Sequence, residues 1–132
     1  MAFNSGGTNV GGVKSRPQGE FVIPAAQALS ITGTGNFSVD FTVPTGKVWN
    51  LKSYLTESVS FIGTITSNYK ILNIGANGIT LENSGSTVSC AELIGDKDLW
   101  ASAGDYVRIL INVSAYTSGD INSRISYQEM DA

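Results

Sequence analysis

The 132-residue chain contains no histidine. That absence excludes the Ser-His-Asp triad, histidine-ligated zinc and the histidine-metal centre of the cupins. It contains one cysteine, Cys90, so no internal disulfide can form, and neither a thiolate zinc site nor an iron–sulfur cluster can be assembled within one chain. Cys90 lies near Val88 and Leu93 and reads as a small buried hydrophobe. A nucleophilic thiol would need an activating base, and imidazole is not available. Charged residues make up only 14% of the chain, well under the usual quarter. The net charge of −3 argues against nucleic acid as a partner, which requires a basic footprint. No apolar run approaches the roughly 18 residues of a membrane-spanning helix. The amino terminus lacks the charged-apolar-small order of a signal peptide. Position 2 is Ala2, which removes the myristoylation motif. There is no phosphate-binding loop and no dinucleotide fingerprint, and Gly33-Thr34-Gly35 reads as a turn. No membrane partner, cofactor, metal site or catalytic set is expected.

What the chain does have is the period of β-strands. In Asn36–Leu55, Phe37, Val39, Phe41 and Val43 alternate with Ser38, Asp40 and Thr42, one face apolar and the other polar. Pro44-Thr45-Gly46 breaks the run, because proline removes a ladder donor and glycine supplies a conformation other residues avoid. A second strand follows at once, with Val48, Trp49, Leu51 and Tyr54 available for burial. Further strands are expected at Glu20–Ile23, Gln27–Thr32, Glu57–Ile65, Tyr69–Ile74, Ile79–Leu81, Thr87–Leu93, Tyr106–Ser114 and Ile121–Met130. Turns are expected at Ser67-Asn68, at Asn77-Gly78 (a strong hairpin signal), at Asn83–Ser86, over Gly95–Asp98 and at Ser118–Asp120. Nine or ten short strands and no sustained helical period point to an all-β protein. A second corner, Ala101–Asp105 before Tyr106, echoes the layout of the first. Two such corners suit a jelly-roll type antiparallel β-sandwich.

Residues 1–19 differ from the rest. They hold five of the fifteen glycines, two bases and no acid, whereas the remainder carries all eleven acids and six bases. Phe3, Val10 and Val13 are scattered without period. Such a segment cannot by itself bury enough surface to offset its ordering entropy. It reads as an extended amino-terminal arm, with residues 20–132 as the β-sandwich domain. The arm's candidate anchors on a partner are Phe3, Val10, Val13, Lys14 and Arg16.

Carboxylates were the remaining route to chemistry. Asp96-x-Asp98 lacks the further acidic positions of a calcium loop. Asp40, Glu57, Glu92 and Asp105 offer no distinguished pair for glycoside hydrolysis. Trp49 and Trp100, each beside a corner, read as core or subunit-packing aromatics rather than as a sugar platform.

The segments Val43-Pro44-Thr45-Gly46-Lys47-Val48-Trp49 and Leu99-Trp100 before Ala103-Gly104 resemble the two corners of a family of small phage structural modules. In layout the resemblance covers residues 36–129. The second corner departs from the pattern, with Ala101-Ser102 where Leu-Pro is usual. The family includes the trimeric jelly-roll decoration (cement) proteins of tailed-phage heads, along with fibre and tail modules. The resemblance implies a non-enzymatic virion protein, made in the host cytoplasm and mounted on the capsid exterior. It also implies a homotrimer whose arms grip the major capsid protein. The alternative it carries is a receptor- or carbohydrate-binding β module of a fibre or tail.

Overall fold

The computed structural model describes residues 19–75, 77–93 and 98–132. Their regular structure is entirely β, joined in one antiparallel sheet. The strands are β1 (Glu20–Val22), β2 (Gln27–Ala28), β3 (Gly35–Thr42), β4 (Lys47–Ile74), β5 (Asn77–Asn83), β6 (Cys90–Leu93), β7 (Trp100–Ser102) and β8 (Tyr106–Asp131).

Two very long strands replace the string of short ones read from the sequence. β4 and β8 pair along almost their whole length, from Lys47 opposite Asp131 to Asn73 opposite Tyr106. β1, β2 and β3 are added to β8, and β5, β6 and β7 to β4. Residues from the two ends of this ladder share one core cluster. Trp49, Leu51 and Tyr54 meet Ile125 and Tyr127 from one end and Leu72, Val107 and Ile109 from the other. The ribbon therefore doubles back on itself. A second cluster, with Leu29, Ile31, Ile65, Ile111, Val113 and Ile121, fills the space nearer the bend.

The bend lies where a turn was expected in one strand, at Ser118–Asp120, and an unbroken strand, Glu57–Ile65, in the other. Ser118–Asp120 does not reverse the chain but stays within β8, opposite an irregular stretch of β4 at Val59–Ile62. Gly119 takes φ 86° and Ser60 φ 55°. A Cβ on Gly119 would overlap the Ser60 carbonyl, and one on Gly63 would overlap the Ala115 carbonyl. Backbone approaches this close admit only glycine. The turn expected at Ser118–Asp120 is therefore not a turn: the polar, glycine-bearing stretch bends with its partner strand and keeps the ladder.

Bulges decide which side chains face inward. Thr66 is an extra residue between Ile65, opposite Val113, and Ser67, opposite Asn112. It shifts the inward parity from Ile65 to Asn68, Lys70 and Leu72, all essentially inaccessible. The expected Ser67-Asn68 turn is thus a bulge within β4. Lys52 plays the same part between Leu51 and Ser53, so that Tyr54 and Thr56 follow Trp49 and Leu51 into the interior. The β4–β5 reversal falls between Ile74 and Asn77, with Gly75 at φ 61°. Asn77-Gly78 instead begins the returning strand, so the reversal comes two residues earlier than the hairpin signal suggests. β6 is shorter than the Thr87–Leu93 strand expected.

The two corners are neighbours. Val43 N–H donates to the Asp105 carbonyl at 2.9 Å, and Gly104 N–H donates to the Val43 carbonyl at 3.0 Å. Asp105 secures its own turn by accepting from Ser102 N–H at 2.9 Å and reaches Gly75 N–H at 3.1 Å. Trp49 is buried and stacks on Tyr127 with ring centroids 3.8 Å apart. Its Nε1 donates to Glu129 at 2.9 Å. Trp100, by contrast, is exposed, so only one of the two corner tryptophans closes the core.

Candidate functional site

Two features stand out once the ladder is in place: a trough on the outer face and a polar cluster inside. The trough has a volume of about 600 Å³ and crosses β1, β8, β4 and β6. Phe21 and Ile23 form its apolar wall, and each keeps 56% of its surface exposed. Leu55 and Ala91 line it as well. Its polar lining includes Ser53 and Ser126, whose hydroxyls hydrogen-bond each other, together with Lys52 and Arg124. Arg124 Nε is buried without a hydrogen-bond partner. That leaves one donor of the guanidinium unsatisfied, while the residue as a whole adds a cationic group to the lining. Isolated exposed apolar side chains are ordinary, but apolar residues gathered round a concavity with cationic groups mark a contact surface.

The wall residues follow directly on the amino-terminal segment. β1 pairs with the end of β8 through Glu20–Glu129, Phe21–Gln128 and Val22–Tyr127. The arm anchors Phe3, Val10, Val13, Lys14 and Arg16 lie outside the described residues. Sequence reasoning gave Phe21 and Ile23 no role beyond a short strand. Their signal was two large apolar residues on alternate positions of an edge strand, and a four-residue run is too short to show which face is covered.

The interior cluster was also missed. Lys70, in β4, has no accessible surface. Its Nζ donates to Glu82 Oε1 at 3.0 Å, approaches Cys90 Sγ at 3.0 Å and makes a very short contact with Ser84 Oγ. The Tyr54 ring lies 5.8 Å away, within cation–π reach. A one-residue bulge at Leu81 sets Glu82 opposite Lys70, where an unbroken register would set Leu81. Thr56 Oγ1 donates to the Val88 carbonyl at 2.7 Å and lies 3.3 Å from Cys90 Sγ. Asn68 Nδ2 donates to Thr56 Oγ1 at 3.0 Å and to the Thr87 carbonyl at 2.9 Å, while its buried Oδ1 has no partner. Burying an ammonium is tolerable only with a counter-charge and full hydrogen bonding, which this cluster supplies.

Cys90 is accordingly not the apolar filler expected from Val88 and Leu93. It is partly accessible and set among Lys70, Ser84 and Thr56. Burial pushes its thiol up, but hydrogen bonds from Lys70, Ser84 and Thr56, with the Lys70 charge, bring it below its ordinary value. A lysine supplies the polarising neighbour that the missing histidine could not.

The carboxylates do not converge. Asp40 forms a two-point pair with Arg108, at 2.8 and 3.0 Å, and Asp105 is spent on backbone. Asp98 accepts from Trp100 Nε1 at 2.8 Å and Asn50 Nδ2 at 3.3 Å. Among the described residues no three His, Cys, Asp or Glu side chains are grouped so as to hold a metal ion; Asp96 lies outside them. No protein-family model, curated protein or solved structure matches this chain.

Proposed function

We propose that this chain is a non-enzymatic virion structural protein, a capsid decoration protein that forms a homotrimer through its β domain and holds the major capsid protein partly through residues 1–19. The observation that carries the reading is the apolar trough walled by Phe21, in β1, and Ile23, just after it, both close behind the amino-terminal segment. Its occupant in the trimer is a second copy of the chain. Lys52 and Arg124 in the lining suit a partner whose acids outnumber its bases, and residues 20–132 of this chain have that balance.

The pairing pattern also suits a jelly roll. One half of the ladder reads β3–β8–β4–β5, and the other sets β1 and β2 beside β8, and β6 and β7 beside β4. Folding these two four-column leaves together gives the double-sheet sandwich of that architecture. A low-charge, rigid knob with a strap is what a protein that stabilises a shell requires.

The test is the mass of the full chain under native conditions. Three times 13.9 kDa is expected, and Phe21→Asp with Ile23→Asp should give monomers that remain folded. A native monomer would sink the reading. In co-sedimentation with tailed-phage heads, deletion of residues 1–19 should abolish binding while leaving the trimer intact.

The rival reading, a receptor- or carbohydrate-binding module of a fibre or tail, draws on Trp100. The residue is 44% exposed and its indole is held by Asp98, as a sugar-stacking aromatic would be. Specific glycan binding lost in Trp100→Ala would favour it.

A further inference from the structure

The chemistry of the interior cluster is independent of the reading above. A thiol and a primary amine that touch, one reachable from solvent and one enclosed, form an arrangement with a definite reactivity. Cys90 Sγ stands 3.0 Å from Lys70 Nζ, with Ser84 Oγ and Thr56 Oγ1 each 3.3 Å from the sulfur. Cys90 is partly exposed, whereas Lys70 has no accessible surface. A small oxidant can therefore reach the sulfur, and the first nucleophile the oxidised sulfur meets is the lysine.

We propose that Cys90 and Lys70 form a reversible covalent redox staple, a sulfur–nitrogen (sulfenamide) bond made when hydrogen peroxide oxidises the thiol. In the first step the thiolate attacks one peroxide oxygen. An S–O bond forms, the O–O bond breaks, and the departing hydroxide takes a proton and leaves as water. The product is the sulfenic acid, a species known to condense with nitrogen nucleophiles. In the second step the Lys70 amine attacks the sulfur. An S–N bond forms, the S–O bond breaks, and the hydroxide leaves as a second water with a proton from the nitrogen. Sulfur is oxidised by two electrons and peroxide is reduced by two. Glu82 Oε1, 3.0 Å from Nζ, is placed to accept the ammonium proton so that the nitrogen lone pair is available. A thiol reductant reverses the reaction by exchange at sulfur.

The geometry favours this outcome over the usual fates of a sulfenic acid. The chain has no second cysteine to resolve it as an internal disulfide. The enclosed amine competes at contact distance with any second peroxide, which would carry the sulfur on to the irreversible sulfinic acid. The bond would tie β4 to β6, elements 20 residues apart in the chain. It would clamp the segment between them, which includes β5.

The test uses the full-length protein, treated with hydrogen peroxide in its native buffer and then alkylated. The expected product is lighter than the untreated chain by about 2 Da, the two hydrogens lost, and its Cys90 resists alkylation. Trypsin no longer cuts after Lys70, and the fragment spanning residues 53–97 carries the mass deficit. Dithiothreitol restores both the cut and the thiol. The oxidised form melts higher by roughly 10 °C, as expected for closing a loop of this length. Cys90→Ser, which leaves the buried ion pair in place, shows no mass loss and no shift in melting. The proposal is overturned by a thiol that stays alkylatable, by a gain of about 32 Da from sulfinic acid without a link, by a disulfide-linked dimer, or by a deficit that persists in Cys90→Ser.

Discussion

At the scale of single residues, the interior is decided by how charge and hydroxyl groups are paired. Lys70 is enclosed and its counter-ion Glu82 keeps 27% of its side chain exposed. Glu82→Gln removes the countercharge and leaves the ammonium buried. This should destabilise the fold by about 3 kcal/mol, read from urea midpoints. Replacing both partners, as in Lys70→Met with Glu82→Leu, should recover most of that loss, because the desolvation penalty goes with the charge. Tyr127 offers a pH test. Burial, and secondly Glu129, raise its phenol above the ordinary value of 10.0. The folded chain thus holds the neutral form more firmly than the unfolded chain does. That contribution is complete below pH 10 and is lost as pH rises through the elevated folded value. Denaturation midpoints measured from pH 9 upward should fall less steeply in Tyr127→Phe than in the native protein.

At the scale of elements, the bend in the β4–β8 ladder is the point on which the architecture turns. Gly119 combines a positive φ with a carbonyl in the space a Cβ would occupy. Gly46, in the first corner, has φ 81° but open space around it. Gly46→Ala should therefore lose only the backbone preference, about 1 kcal/mol. Gly119→Ala must also move the Ser60 backbone and should lose 3 kcal/mol or more on the order of the largest single-residue effects. Equal losses at the two sites, measured by chemical denaturation, would contradict the bend as drawn. The stack of Trp49 on Tyr127 sits where β4 and β8 end together. Trp49→Ala should cost about 3–5 kcal/mol, in line with other large-to-small changes in a core.

At the scale of the whole molecule, the proposed trimer assigns the exposed trough to assembly rather than to the stability of one chain. Phe21→Asp lies on an edge strand with its side chain outward. It should leave the thermal midpoint of an isolated subunit nearly unchanged while shifting the proposed trimer toward monomer, followed by sedimentation. A protein of this kind would be stable through its own core and functional only through its neighbours.

The chain's composition and period were enough to determine that it is all-β, that Phe41, Val43, Trp49 and Leu51 face the core, and that two corners punctuate it. Those are local properties: alternation is visible residue by residue, and Pro44 and Gly46 act on the backbone where they stand. Only tertiary structure decided that the apparent turns at Ser67-Asn68 and Ser118–Asp120 are a bulge and a bend within 28- and 26-residue strands. A polar or glycine residue weakens the pleat in either case, and whether the chain then reverses depends on a partner strand distant in sequence. The same holds for Lys70, Glu82 and Cys90. Single-residue bulges at Thr66 and Leu81 turn Lys70 and Glu82 toward one another, and the pairing of Cys90 with Thr56 brings in the thiol; such placements are set by pairing across the sheet, which no local pattern records.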